Sequence, residues 1–155
     1  MLNKKLLVII LGIFLVLTSA CDRLEIADGY YPNYEHLSAS GEPGNWIPTF
    51  IPRSAIDIRE RHKIDTGSEL LTFYFEKDAD FSLDGFCERV TAKDTILPPS
   101  GFLDVTWWPN SLFHGVGENG EKGSYEFYRC ERQAFLAVIQ VGSRFQAFYW
   151  RISLS

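Results

Sequence analysis

Residues 125–152 read YEFYRCERQAFLAVIQVGSRFQAFYWRI, and this stretch decides the fold that we expect. It contains three runs, 125–130, 135–141 and 144–152, whose aromatic and β-branched content is typical of strands. Gly142-Ser143 fits a two-residue hairpin turn between the last two runs. Aromatic residues occupy both alternating sets of positions in the last run, so we expect a central strand with cover on both faces.

Two more strands are predicted upstream, over Glu69–Glu76 and over 103–108. The connections are too short for the crossovers that parallel strands need, which indicates antiparallel pairing. We therefore expect an α+β fold, in which one or two helices pack against an antiparallel β meander of four or five strands.

Helical spacing is present at two places in the first half of the chain. A short helix is predicted over 34–41, where the glycine at its end favours termination. Ser54 and Asp57 form an approximate capping box for a second helix over 55–63. The alternation of apolar residues in 55–63 also permits a strand.

Two cysteines of the predicted domain, Cys87 and Cys130, are candidates for one disulfide. A helix that starts at Ser82 would carry Cys87, and the strand 125–130 ends with Cys130, so a bridge would tie a helix to the sheet. Two buried free thiols are the alternative. Residues 110–123 are rich in glycine and are expected to form a long exposed loop.

The first twenty residues have the pattern of an export signal. Lys4 and Lys5 precede the apolar run Leu6–Leu17, and Thr18-Ser19-Ala20 is a small-residue cleavage site. With Cys21 directly after it, the site resembles the lipobox of bacterial lipoproteins. The resemblance implies cleavage before Cys21, diacylglycerol on its sulfur and acylation of its new amino group, so that fatty acyl chains anchor the protein in a membrane.

Other interpretations of this segment stay open. Twelve apolar residues are fewer than the about 20 that a transmembrane helix needs, but a plain secretory signal with an incidental Cys21 fits the pattern. Asp22 resembles the sorting signal that retains lipoproteins in the inner membrane of enteric bacteria. We therefore expect the periplasmic face of the inner membrane rather than the outer membrane.

Charge and length limit the classes of partner. Residues 1–20 would be removed as a signal peptide, which leaves residues 21–155 as a single periplasmic domain. Loss of Lys4 and Lys5 takes the net charge from −5 to about −7. This acidic balance argues against a nucleic-acid partner. Aromatic residues make up 15% of the chain, which suggests an aromatic core or an exposed aromatic surface.

The segment 46–66 reads WIPTFIPRSAIDIRERHKIDT. It resembles a family of small bacterial lipoproteins that share a W-I-P, P-x-S-A and H-x-x-D-T pattern near the mature N-terminus. The resemblance implies no activity, but it marks this segment as the place to search for a site.

Catalytic and metal-binding patterns are weak. His62 and Asp65 lie close enough in sequence for Asp65 to fix the tautomer of the imidazole. Such a His-Asp pair is typical of a hydrolase active site, but no nucleophile motif accompanies it. The histidines lack the spacing of metal ligands, and Asp78, Asp80 and Asp84 do not form an EF-hand loop. We expect no metal and no cofactor.

The aromatic residues are the better candidates for binding. If 103–108 is a strand, Trp107 and Trp108 cannot both face the core, and an exposed indole would suit a protein or a glycan. Alternatively, Trp107 and Trp108 both have a structural role, in aromatic cores on the two faces of the sheet. The candidate binding residues are Trp46, Arg59, His62, Asp65, Trp107 and Trp108.

Together these features predict a membrane-anchored envelope lipoprotein that acts as a non-enzymatic interaction module. Its envelope protein partner would make it an accessory, regulatory or protective subunit. Two alternatives from other classes stay open: a small envelope hydrolase that uses His62 and Asp65, and a carrier or sensor of a small apolar ligand.

Overall fold

The centre of the structure is one antiparallel sheet of seven strands. The computed structural model describes residues 26–43, 46–76, 81–98, 100–102, 104–114, 125–130 and 133–152. The strands lie in the order β1-β2-β3-β7-β6-β5-β4. They are β1 (Ile26–Asn33), β2 (Ile56–Lys63), β3 (Glu69–Phe75), β4 (Cys87–Val90), β5 (Glu126–Cys130), β6 (Ala134–Val141) and β7 (Arg144–Arg151).

Helices are a minor part of the described chain. They are α1 (Tyr34–Ser40) and α2 (Asn110–His114), with 3-10 turns at Ala92–Asp94 and Ser100–Phe102. The predicted helix over 34–41 is confirmed as α1, where the side chain of Asn33 caps the first turn and Gly41 adopts a left-handed conformation at the end. None of the described helices is long and apolar enough to cross a membrane.

The predicted α+β class with four or five strands was wrong, because the described residues form seven strands and only short helices. The segment 55–63 illustrates the reason. Its residues alternate in burial along β2, as a strand requires, and the expected capping residues have other roles. Ser54 donates to the carbonyl oxygen of Glu76 at 3.5 Å, and Asp57 binds Arg59.

Three other predicted elements also needed correction. Residues 87–90 form strand β4 rather than the end of a helix, because they pair with β5. The described part of 103–108 consists of turns rather than a strand, with Trp108 N donating to Val105 O at 3.4 Å. The expected loop over 110–123 begins with α2, and residues 115–123 lie outside the described residues.

The strands predicted over 69–76, 125–130, 135–141 and 144–152 are confirmed. Val141 pairs with Arg144, which confirms the turn at Gly142-Ser143. Strand β7 is the fourth of seven and is covered on both faces, as its aromatic content indicated.

Each face of the sheet carries its own apolar core. On the first face, α1, residues 46–51 and residues 81–83 pack on side chains that include Leu71, Phe73, Leu136 and Tyr149. On the second face, Phe102 and residues 105–113 pack on side chains that include Leu70, Phe135, Phe148 and Trp150. The cover on both faces is mainly irregular chain, fixed at points such as the 2.7 Å bond from Trp150 Nε1 to Ile96 O.

The disulfide between Cys87 and Cys130 joins neighbouring strands. The two residues lie directly opposite each other in β4 and β5, with their Cα atoms 4.0 Å apart. The expected pairing is therefore present, but the bridge ties the short edge strand β4 to the sheet rather than a helix to the sheet. It also fixes the end of the segment 81–86, which packs on the first face.

Because the bridge spans 43 residues of sequence, replacing both Cys87 and Cys130 by Ala is expected to lower the free energy of unfolding by about 4 kcal/mol in the chain-entropy model. Urea unfolding measures the change. A reducing agent should destabilise the parent protein to a similar extent and leave the double variant unaffected. Equal stability of the parent and the double variant would contradict a structural role for the bridge.

Candidate functional site

A groove of about 460 Å³ lies at the β1 end of the sheet, on the second face. β1 and β2 form its floor, and Trp107 from the turns after Phe102 forms its wall. The groove is lined by Asp28, Gly29, Tyr30, Arg59, Glu60, Arg61 and Trp107. It combines two aromatic rings with two guanidinium groups beside an edge strand, and no described strand pairs with the outer edge of β1.

A β-bulge in β2 positions Arg59 over the groove. The register between β2 and β3 shifts between Ile56 and Arg59, and Asp57 adopts a positive φ of 49° there. An aspartate tolerates this left-handed conformation better than most residues. Its carboxylate accepts from Arg59 Nε at 3.1 Å and from Nη2 at 3.0 Å, which holds the guanidinium 5.8 Å from the ring of Tyr30.

Arg61 connects the floor of the groove to its wall. Its Nε and Nη2 donate to Asp28 at 2.5 and 2.9 Å, and its Nη1 donates to Asp104 at 3.0 Å. The hydrogen bonds to Asp28 and the two nearby carboxylates raise the pKa of Arg61, against the effect of burial. Since Asp104 begins the segment that carries Trp107, this bridge places the indole beside Tyr30.

The first face behind the groove carries a second polar cluster, which is buried. The ring of Trp46 stacks on His62 with centroids 4.2 Å apart and planes 6° from parallel. His62 Nδ1 contacts the carboxylate of Glu60, which is 3% exposed. A Cβ on Gly29 would lie 2.5 Å from Glu60 Oε2, so a larger residue at this position of β1 would displace the carboxylate from its present place. Burial raises the pKa of Glu60, and the His62 contact opposes that effect.

Glu69 extends this cluster to β7. It is fully buried, and neither carboxylate oxygen accepts a hydrogen bond within the described structure. Arg151 Nη2 approaches Oε2 at 3.3 Å but also donates to the hydroxyl of Tyr149. Desolvation outweighs the attraction of Arg151 and raises the pKa of Glu69 to about 8, with Glu60 adding repulsion. Glu69 is therefore mainly neutral at pH 7.

The structure separates the residues that we predicted as one site. Arg59 and Trp107 line the groove on the second face, whereas Trp46 and His62 stack on the first face. Trp108 is 3% exposed and lies in the core of the second face, where its Nε1 has no described partner. Arg59 and His62 are separated because strand β2 sends alternate residues to opposite faces.

Asp65 does not contact His62 in the described structure. It lies exposed in the turn after β2, and Glu60 is the carboxylate beside the imidazole. In the described residues, no three His, Cys, Asp or Glu side chains are placed to hold a metal ion. Cys21 and Asp22 lie outside the described residues, as do Asp78 and Asp80.

Sequence reasoning missed Asp28, Tyr30 and Arg61, which complete the groove. A signal for one of them was available, because Arg61 lies two residues after Arg59 and must share its face if 56–63 is a strand. Asp28 and Tyr30 carry no such signal, since only the pairing of Asp28 with Arg61 and of Tyr30 with Arg59 brings them to the site.

The fold and the groove define a class of protein: a small domain with one antiparallel sheet and an amphipathic groove beside β1, the edge strand of the described sheet. Residues 25–74, about a third of the chain, match the family model described as the YbbD head domain, a bacterial family. The chain is similar to this domain over β1, α1, β2 and most of β3, which includes every groove residue except Trp107. No curated protein and no solved structure matches the chain.

The buried carboxyl of Glu69 should make stability depend on pH. Its pKa of about 8 in the folded state exceeds the ordinary glutamate pKa of 4.5, so the folded state holds an extra proton between these values. The free energy of unfolding should therefore fall as pH rises from about 5 to 8, by up to about 1.4 kcal/mol per pH unit. Replacing Glu69 by Gln should remove most of this slope in urea unfolding across that range.

Glu88 supplies the control for this experiment, because its side chain is 68% exposed. A Glu88→Gln variant should keep the slope of the parent protein. If Glu69→Gln kept it as well, the conclusion that Glu69 is neutral at pH 7 would be wrong.

Proposed function

We propose that this chain is a membrane-anchored lipoprotein of the bacterial envelope and acts as a non-enzymatic interaction module. A partner protein docks on the groove and on the adjacent edge of β1, which makes the chain an accessory, regulatory or protective subunit. The lipobox pattern ending at Cys21 supports the anchor, and Asp22 supports the periplasmic face of the inner membrane. The matched bacterial family is consistent with this setting.

The observation that carries the proposal is the placement of Tyr30, Arg59 and Trp107 around one groove. Tyrosine, arginine and tryptophan are the residue types that contribute most of the energy at protein interfaces. Tyr30 is 60% exposed, and Arg59 is oriented by its bond to Asp57 rather than free to rotate. Binding at such a prearranged surface costs less side-chain entropy.

The edge strand adds a second means of recognition. β1 has eight residues and pairs with β2 on one side only within the described structure. An extended segment of a partner can therefore form main-chain hydrogen bonds along it and place its side chains in the groove. The chain without residues 1–20 has a net charge of about −7, which favours a partner surface that complements acidic groups and disfavours nucleic acid.

The hydrolase alternative has less support. It needs Asp65 to orient His62 and a nucleophile within reach, but Asp65 lies exposed in a turn and the imidazole is covered by Trp46 and Glu60. The contacts of His62 are those of a residue that fixes the segment around Trp46 to the sheet.

The proposal is tested by site-specific photo-crosslinking of the full chain in cells. A crosslinker at Tyr30 should capture one near-stoichiometric envelope protein. The same crosslinker at Val141, which is 46% exposed at the far hairpin, serves as the control and should not capture it. Equal capture at the two positions, or none at Tyr30, would refute docking on the groove.

Affinity for the captured protein should fall when the groove loses its aromatic rings. Tyr30→Ala and Trp107→Ala are each expected to weaken binding by about tenfold or more, because hot-spot truncations remove on the order of 2 kcal/mol. Binding is measured with the purified full chain, after circular dichroism shows that each variant is folded. Ile64→Ala, which removes a side chain 57% exposed in the turn after β2, should leave the affinity unchanged.

A further inference from the structure

One end of the sheet is marked by a row of paired residues that crosses every strand of the described sheet. The row takes one residue from each strand, in spatial order Ala27, His62, Glu69, Arg151, Ala134, Cys130 and Cys87. Strand β1 begins here, because Ile26 directly precedes the row. We call this the anchor end of the sheet, since the chain that follows Cys21 enters the sheet there.

The lipid anchor of the proposed function, on which this inference rests, would hold the anchor end close to a bilayer. Ile26 follows Cys21 by five residues, so even a fully extended chain places it at most about 18 Å from the acylated cysteine. The acyl chains would keep Cys21 at the membrane surface. The anchor end then stays within this distance of the bilayer, whatever the tilt of the sheet.

Exposed apolar side chains are concentrated at the same end. Among the described residues, six large apolar side chains are exposed, and four of these lie at or beside the anchor end. The four are Ile64 (57% exposed), Phe86 (43%), Ile96 (56%) and Leu97 (46%). A protein surface normally carries such residues singly, so their collection at the end nearest to the proposed anchor indicates a contact surface.

Three different parts of the chain place these side chains. Ile64 begins the turn after β2, and Phe86 directly precedes β4, where part of its ring packs on Phe50 with centroids 6.1 Å apart. Ile96 lies beside the end of β7, because its carbonyl oxygen accepts the 2.7 Å bond from Trp150 Nε1. Leu97 follows Ile96 directly.

The charges beside Ile64 do not select anionic lipid. Lys63 and Asp65, its two neighbours in sequence, are of opposite sign. The ammonium of Lys63 lies 5.8 Å from the ring centroid of Phe102, so its stem runs along the core of the second face. With the net charge of about −7 of residues 21–155, the contact has to come from burial of apolar side chains rather than from attraction to acidic headgroups.

From this arrangement we infer that the anchor end rests on the bilayer and that Ile64, Phe86, Ile96 and Leu97 enter the interfacial region of the lipid. The side chains are widely spaced, since five strand-to-strand steps, about 24 Å, separate β2 from β4. A fluid bilayer accepts separated apolar groups without matching their shape, whereas a protein partner would have to complement the whole end. The short connection to Cys21 also gives the bilayer a high effective concentration at this end, so a few side chains are sufficient.

The membrane contact and the partner groove can fail separately. The groove lies beside β1 on the second face and is lined by residues such as Tyr30 and Trp107, none of which belongs to the four. Loss of the membrane contact would change the orientation of the domain and would leave the groove intact.

The test uses the full lipidated chain in phosphatidylcholine vesicles that contain a phospholipid with a nitroxide high on its acyl chain. A fluorescent amino acid is introduced at Ile64, Ile96 or Val141 in separate samples. We expect strong quenching at Ile64 and Ile96, because interfacial apolar groups lie about 5–10 Å into the boundary between headgroups and acyl chains. Val141 is the matched control, since it is 46% exposed but lies about 24 Å along the strands from the row, and it should be quenched little.

Flotation of the same vesicles separates the two ways in which the inference can be wrong. A chain that does not float with the vesicles lacks the anchor, which would overturn the lipoprotein part of the proposed function and this inference with it. A chain that floats while Ile64 and Ile96 are quenched no more than Val141 would keep its anchor and refute the contact at the anchor end. Absence of quenching at all three positions would point to a protein as the cover of the four side chains.

Charged substitutions should release the anchor end from the bilayer. With the label at Ile64, the double change Ile96→Asp and Leu97→Asp is expected to lower the quenching towards the level measured at Val141, because a carboxylate resists transfer out of water. Val141→Asp is the control and should leave the quenching unchanged. Circular dichroism and flotation check that each variant is folded and anchored. Full quenching at Ile64 in the folded, anchored double variant would contradict the inference.

Discussion

The structure depends on one constraint: a single sheet must be covered on both faces by a short chain with little helix. Strand β7 is an example, because its residues Ala147 and Tyr149 face one core while Phe148 and Trp150 face the other. Helices would cover a face with their own hydrogen bonds satisfied. Here irregular segments do most of the covering, and their polar groups need specific partners, as in the bond from Trp150 to the carbonyl of Ile96.

The same constraint explains where the candidate sites lie. The middle of the sheet, around β3, β7 and β6, is fully packed on both sides, so open space is found at the margins of the cover. The groove lies beside the edge strand β1, and a cavity of about 310 Å³ lies on the first face where Phe75 of β3 pairs with Phe145 of β7. Polar residues concentrate at these margins because water or a ligand reaches them there.

The sequence was most informative where one residue pattern had one structural solution. The three C-terminal strands and β3 are long aromatic or aliphatic runs, and their prediction needed no tertiary information. The segment 56–63 fits both a helix pattern and a strand pattern. It forms a strand because its pairing with β1 and β3 outweighs the local helix signals at Ser54 and Asp57, and this pairing cannot be predicted from the segment itself. Strand β4 is four residues long and exists only through its pairing and disulfide with β5.

Only part of the candidate site could be predicted, because the segment 56–63 was ambiguous between helix and strand. Arg59 and Trp107 were found as residue types suited to binding, but their separation from Trp46 and His62 could not be predicted while 55–63 was treated as a helix. The groove also needs Tyr30 and Asp28 from β1. Their approach is a consequence of strand register, which no local pattern in 26–33 specifies.

The buried ionisable residues on the first face help to set the register of β3 against its neighbours. Glu60, His62, Glu69 and Arg151 lie on three adjacent strands, and the pairing of His62 with Glu69 and of Glu69 with Arg151 places their side chains on one face. A slip of one residue between β3 and β7 would turn Glu69 and Arg151 to opposite faces and would leave the buried carboxyl of Glu69 without the guanidinium beside it. Apolar residues alone would penalise that slip less, because Leu70 and Leu71 are both buried and would exchange one core for the other. The polar cluster thus distinguishes two registers of β3 against β7 that the apolar pattern of β3 leaves nearly equivalent.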